Sequence, residues 1–354
     1  MTCKATPLRH REDLCKFHAR LPGYSRTRLA SLSDLARDMG IKALYIKDES
    51  TRFGLPSFKI LGASWGIYRA LIDRLDFAAQ CSLEELRAAA QAHKLQLFAA
   101  TDGNHGRAVA WMAKLLRIRA VIYIPKGVDD HTRQLISAEG SDVILLTESY
   151  DHAVATAAEA AHRQGGILVQ DTAFGDYEQI PAWIVEGYST MFDEIDAQLK
   201  ELNLHPTTVI TPVGVGSLAS AAVSFAKSDG RHVKVVTVEP NTAACLHASL
   251  RASKPVSIHT TETIMTGMNC GTVSAIAWPL LRDNVDLSIT VSDSETHIAV
   301  QDLASSGISA GPCGAAGLAA LRQLVGDDML EDRANAVVVL LNTEGIRDYV
   351  MSKT

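Results

Sequence analysis

The 354-residue chain is 47% hydrophobic and 21% charged, enough apolar sequence to bury a large core and too long for one ordinary domain, so two domains with a cleft between them are expected. Its formal net charge of −6 is spread over scattered lysines and arginines, which excludes a basic stripe that would neutralise a nucleic-acid backbone. No apolar run is long enough to span a membrane and the six cysteines show no zinc-ligand spacing, so a cytoplasmic protein with no membrane association, reduced thiols and no metal centre is expected.

At the start of the chain, arginines admit a mitochondrial presequence, but Glu12 and Asp13 interrupt them, and such presequences are poor in acids. Beyond it, short β-branched runs alternate with alanine- and leucine-rich stretches, the pattern of a parallel sheet with crossover helices, so the fold class is α/β. The predicted strands are 43–46, 97–100, 120–124, 143–146, 167–169, 208–211, 233–238, 288–291 and 336–341. Several are continuous rather than alternating, which predicts cover on both faces. Ser82 followed by Glu85 is a capping-box signal for a helix start.

After the first strand, Arg52-Phe53-Gly54-Leu55-Pro56-Ser57-Phe58-Lys59-Ile60-Leu61-Gly62-Ala63 sets one lysine among apolar neighbours, just past a proline suited to the start of a helix. Desolvation disfavours the ammonium, and the neutral amine is the form that attacks an aldehyde. A lysine that packs its stem and sends its head to water fits the same residues.

Ala100-Thr101-Asp102-Gly103-Asn104-His105-Gly106 then joins the strand at 97–100 to a helical stretch at 107–116. Strand, glycine turn and helix N-terminus make an anion-binding corner. Thr101, Gly103 and His105 are the candidates to hold a substrate carboxylate there, and a self-satisfied Asx-type turn is the alternative. Farther on, Gln170-Asp171-Thr172-Ala173 ends the strand at 167–169, and Pro181 stands where a first helical residue is expected. Taken alone, Asp171 also reads as a cap.

The stretch from Thr208 to Ala221 reads strand, glycine loop, helix. In it Gly214-Val215-Gly216-Ser217-Leu218 lets the backbone approach a phosphate, with a helix N-terminus behind. The same Gly-x-Gly is half of a nicotinamide fingerprint. Glu239, after the strand at 233–238, keeps that reading open, although Ala219 stands where the third glycine belongs. The last strand runs into Asn342-Thr343-Glu344-Gly345.

Ser57-Phe58-Lys59 following Lys47-Asp48-Glu49-Ser50 resembles the cofactor-lysine region of fold-type II pyridoxal-phosphate enzymes, whose two-domain fold is tryptophan synthase β-like. Within that group Arg52-Phe53-Gly54-Leu55, Leu61-Gly62-Ala63 and the Thr-Asp-Gly-Asn-His-Gly and Gln-Asp-Thr-Ala segments most resemble the diaminopropionate ammonia-lyases. The resemblance spans about Leu21 to Asp348. It implies pyridoxal 5′-phosphate as a Schiff base on Lys59, with its phosphate on Gly214, Val215, Gly216, Ser217 and Leu218. Its phenolic oxygen is implied near Asn104, and its pyridine nitrogen near the Thr343 hydroxyl, with Cys313 a second candidate.

Asp102 and Asp171 are implied as the groups that act on the D- and L-isomers of the substrate from opposite faces of Cα. A carboxylate at 102, where dehydratases usually carry serine, also pairs with a second substrate ammonium. The implied reaction is loss of ammonia from 2,3-diaminopropionate, giving aminoacrylate and then pyruvate. Cys245 and Cys270 are implied as a cysteine pair near the site entrance and a candidate disulfide, and the assembly as a homodimer. The sites place the domains at 1–60 plus 171–354 and at 61–170, with the active site in the cleft. The chain departs from those lyases at Pro312 and Cys313, where they carry an acidic residue and a serine. A serine or threonine dehydratase or a β-replacement enzyme is the alternative within the fold; a binder without catalysis is the alternative outside it.

Overall fold

The computed structural model of the protein describes residues 8–77, 81–101, 103–126, 128, 130–148, 150–228 and 230–351, so Asp102 lies outside the described residues. Among them the strands are β1 (Leu29–Ser31), β2 (Ala43–Asp48), β3 (Gln96–Ala100), β4 (Arg119–Ile124), β5 (Asp142–Leu145), β6 (Ile167–Leu168), β7 (Thr208–Pro212), β8 (Lys234–Pro240), β9 (Leu287–Val291) and β10 (Val337–Asn342). Each predicted run falls on one of them. β1 has no counterpart among the predictions, because three residues are too few to show a period.

The chain divides into two compact units, Met1–Phe58 with Tyr188–Thr354, and Lys59–Gly187. Residues 171–187, expected with the first unit, fall in the second because the helix Gln179–Gly187 packs along the helix Lys59–Leu75. Glycines permit the approach: a Cβ on Gly66 would lie 2.8 Å from Ile184 Cγ1, and one on Gly187 would strike the Leu61 carbonyl oxygen. The helix begins at Gln179 rather than Pro181, and proline is tolerated there because first-turn N–H groups have no intrahelical acceptor.

In the first unit the sheet order is β1-β2-β10-β7-β8-β9. Only β1 runs antiparallel to its neighbour. Every residue of β7 and β10 is buried, as their continuous apolar sequences require in a strand covered on both faces. The helices Ser217–Ala226 and Pro312–Gly326 supply cover, both packing on β7. Parallel pairing puts the exits of β2, β10, β7 and β8 on one edge, the carboxyl edge at which α/β sheets bind ligands.

The second unit holds the order β5-β4-β3-β6, all parallel. Thr101 after β3 and Val169 after β6 leave it at the same edge. β5 differs from the two-face expectation: as an edge strand it leaves Ile144 38% and Leu145 51% exposed. The Ser82 capping box forms, with Ser82 Oγ accepting from the Glu85 N–H and Glu85 Oε2 accepting from the Ser82 N–H. No helix among the described residues is long and apolar enough to cross a membrane.

Candidate active site

At the carboxyl edge of the four-stranded sheet, β6 is only two residues long, and a side chain continues it. Gln170 Oε1 accepts from the Ala100 N–H at 3.1 Å and Gln170 Nε2 donates to the Ala100 carbonyl at 3.0 Å, so the amide acts as one more rung between β3 and the segment after β6. Tyr177 closes the other side, its hydroxyl accepting from the Gln170 N–H and donating to the Leu168 carbonyl, both at 2.9 Å. These bonds fix the backbone on either side of Asp171.

Lys59 is the first residue of its helix, and its Nζ donates to Asp171 Oδ2. The Lys59 side chain is 22% exposed and that of Asp171 8%, so the pair is largely shielded from water. Burial alone would raise the Asp171 carboxyl, but the Lys59 ammonium outweighs it and holds the group at about 2.

At the anion corner, Thr101 Oγ1 accepts from the N–H groups of Gly103 at 2.9 Å and Gly106 at 3.1 Å, which holds the turn in place. The His105 ring is engaged by the fold. Burial lowers its pKa and keeps it neutral, and Nε2 donates to the Val169 carbonyl at 2.9 Å. Nδ1 is then a lone-pair acceptor, buried without a hydrogen-bond partner among the described residues. The helix Asn104–Leu116 starts at this corner, and a helix N-terminus favours an anion. Asn104 opens that helix with a half-buried side chain.

In the first unit, β7 runs into the glycine loop. A Cβ on Gly214 would come within 3.0 Å of the Gly267 carbonyl oxygen and 3.2 Å of Cys270 Sγ. Gly216 has φ +98°, and a Cβ there would lie 2.9 Å from Leu281 Cδ1. The Val215 carbonyl is fixed by the Ser274 N–H at 2.9 Å. Ser217 and Leu218 begin the following helix, both buried. Glu239 has another task than the nicotinamide reading gives it: its carboxyl oxygens accept from the N–H groups of Leu246 at 2.8 Å and His247 at 2.7 Å, at the start of the helix Cys245–Ala252. That closes the nicotinamide alternative.

Cys245 and Cys270, the candidate disulfide, both remain thiols. Each sulfur packs on Gly214, and the Cys245 thiol donates to the Gly214 carbonyl at 3.6 Å. At the exit of β10, the Thr343 hydroxyl oxygen is buried with no hydrogen-bond partner among the described residues. Beside it Glu344 Oε1 accepts from the Cys313 N–H at 3.2 Å, which ties the start of the helix Pro312–Gly326 to the same exit. Gln170, Tyr177 and Glu344 had no role in the sequence reading. Only Gln170 carried a signal, as a polar residue prolonging an apolar strand.

Residues 20–343 match the family described as pyridoxal-phosphate dependent enzyme. The chain belongs to that family. Within it, the chain is 35% identical to the diaminopropionate ammonia-lyase of Salmonella typhimurium, over 94% of this chain and 88% of that one. The crystal structure of the Escherichia coli diaminopropionate ammonia lyase in complex with D-serine covers 97% of this chain and 91% of its own, with TM-score 0.89 and 32% identity. A structure of the same enzyme with an aminoacrylate-PLP azomethine reaction intermediate gives TM-score 0.88, with the same identity and coverage. The fold is therefore that of fold-type II pyridoxal-phosphate enzymes, and the cofactor is pyridoxal 5′-phosphate.

The residues present fit that cofactor. A loop whose glycines leave no room for a Cβ, followed by a helix N-terminus, suits a phosphate dianion. The buried Thr343 hydroxyl without a partner suits a ring nitrogen, and an amine shielded from bulk water suits an aldehyde.

Proposed function

We propose that the protein is a diaminopropionate ammonia-lyase. It removes the Cα proton and the β-amino group of 2,3-diaminopropionate, releasing ammonia and 2-aminoacrylate, which water converts to pyruvate and a second ammonia. The observation that carries this reading is the shielded pair of Lys59 and Asp171 at the carboxyl edge of a parallel sheet, in a chain so similar to enzymes of that name.

Pyridoxal 5′-phosphate, when bound, supplies an aldehyde and an electron-withdrawing ring that weakens the Cα–H bond of an attached amino acid. Lys59 is the amine that holds it. Gly214, Val215, Gly216, Ser217 and Leu218 hold its phosphate, the Thr343 hydroxyl meets its ring nitrogen and the Asn104 side chain its phenolic oxygen. Asp171, which accepts from Lys59 Nζ beside the site, is assigned as a proton acceptor, and Asp102 is assigned the same task on the opposite face. The substrate carboxylate is held by the N–H groups of Asn104 and His105 with the Thr101 hydroxyl hydrogen. The enzyme is taken to be a cytoplasmic homodimer. Thiols at Cys15, Cys81, Cys245, Cys270 and Cys313 suit a reducing compartment, and the dimer rests on the resemblance alone.

The test is turnover of D- and L-diaminopropionate by purified protein, read as pyruvate. No pyruvate from either isomer, with the cofactor absorbance intact, would sink the assignment. Faster turnover of serine or threonine would make it a dehydratase.

A further inference from the structure

We propose that the buried charge cluster around Arg52 positions Lys59 to capture the cofactor, which makes Arg52 a positioning residue of the active site; the inference rests on Lys59 being the cofactor lysine. Lys47, Glu49, Arg52 and Glu194 are all at most 5% exposed. Arg52 Nε donates to Glu49 Oε2 at 2.7 Å and Nη2 to Glu49 Oε1 at 2.6 Å. Arg52 Nη1 and Nη2 donate to the two oxygens of Glu194 at 2.8 and 2.7 Å. One guanidinium therefore grips two carboxylates, each by a pair of parallel bonds.

The remaining polar atoms are also engaged. Lys47 Nζ pairs with Glu194 Oε2 at 2.7 Å and donates to the Thr27 carbonyl at 2.9 Å and Gln198 Oε1 at 2.8 Å. The Thr27 hydroxyl donates to Glu49 at 2.6 Å and accepts from Arg52 at 2.9 Å, and the Tyr24 hydroxyl donates to Glu194 at 3.0 Å. Four buried charges are a poor route to stability, since desolvation cancels most of their attraction. What a planar fork between two carboxylates provides is a fixed orientation.

That orientation is needed immediately afterwards. Phe53, a buried non-glycine residue, sits at φ 54° in the left-handed region, with its ring against those of His18 and Tyr24. Backbone strain of this kind persists only where the surroundings over-determine it. Past the bend, the Gly345 N–H donates to the Pro56 carbonyl at 2.8 Å, Ser57 bridges Glu344, and the Phe58 N–H donates to the Thr343 carbonyl at 3.3 Å. At its start the segment is fastened by the Glu49 N–H to the Asn342 carbonyl at 3.0 Å. Residues 49–58 thus run between the cluster and the exit of β10, and the next residue is Lys59.

In the capture step the Lys59 ammonium, paired with Asp171, first gives one proton to water; its Nζ then forms a double bond to the aldehyde carbon, and the aldehyde oxygen leaves as water with the two remaining hydrogens. Arg52→Lys keeps the charge but cannot fork. Capture is read by timed borohydride reduction and mass spectrometry of the Lys59 peptide; the phosphate and ring sites are read separately by binding of pyridoxine 5′-phosphate, which lacks the aldehyde. The expected result is a folded variant with unchanged pyridoxine 5′-phosphate affinity and capture about a hundredfold slower, the scale of a small misplacement. Capture at the wild-type rate, or capture and affinity falling by the same factor, overturns the inference. If Arg52→Lys does not fold, Thr27→Val removes one hydroxyl from the cluster and leaves its charges. The same split is then expected at about tenfold, the scale of one hydrogen bond to a charged group, and its absence overturns the inference too. Wild-type protein with no link at Lys59 would instead overturn the reading beneath it.

Discussion

The Phe58 N–H donates to the carbonyl oxygen of Thr343 at 3.3 Å, so the residue before Lys59 is fastened to the residue whose buried hydroxyl lacks a partner. That hydroxyl gives the first prediction two signs. A buried polar group without a bond costs about 1–3 kcal/mol, so Thr343→Val should leave the cofactor-free protein as stable or more stable. The same change should weaken pyridoxal 5′-phosphate about fivefold, one ordinary hydrogen bond, and Thr343→Ser should restore the affinity. Thermal melts of the cofactor-free protein and cofactor titrations measure the two effects. Lost stability with unchanged affinity would assign the hydroxyl to the fold instead.

Asp171→Asn should retain the cofactor, because neither phosphate nor ring contacts change, and should lower kcat about 10²–10⁴-fold, the usual contribution of a positioned base. If the two aspartates serve opposite faces of Cα, the loss falls on L-diaminopropionate and spares the D-isomer. Equal losses on both isomers would mean that one residue serves both.

The strands of both sheets are legible in the sequence because buried parallel strands are continuous β-branched runs, and Val337–Asn342 shows this most plainly. Lys59 and the glycine loop are legible because their chemistry is local. What escapes is whatever joins distant positions. The Arg52 cluster is assembled from Thr27, Lys47, Glu49, Arg52 and Glu194, each an ordinary surface residue by type. Gln170 matters through Ala100, seventy residues earlier. The His105 ring is tied to the Val169 carbonyl, sixty-four residues later.

Gly216→Ala should damage the phosphate loop in two ways. A left-handed φ of +98° costs an alanine about 1–2 kcal/mol, and its Cβ would press on Leu281 and Ala277 at 2.9 and 3.1 Å. Cofactor affinity should fall about tenfold, as 1.4 kcal/mol of it would. Gly230→Ala provides the control, since Gly230 also has a positive φ of +70° but open space around its Cβ position. It should lose some stability and no affinity. An affinity loss in both variants would mean that general destabilisation, not the loop, is being measured.

Glu239 makes stability depend on pH. Burial raises its carboxyl from an ordinary 4.5 to about 7, and the N–H groups of Leu246 and His247 only partly offset this. The folded protein therefore keeps a proton up to about pH 7 that the unfolded chain releases near 4.5. Between those values the folded state binds more protons, so stability falls as pH rises and levels off above 7. The full effect is about 3 kcal/mol at 1.36 kcal/mol per unit. Glu239→Gln carries no charge at any pH, so its stability relative to wild type should climb through the same window, and the variant should gain more at pH 8 than at pH 5. Urea unfolding at the two pH values measures the difference. A constant offset would mean that the two backbone N–H groups hold Glu239 ionised throughout, as helix caps usually are.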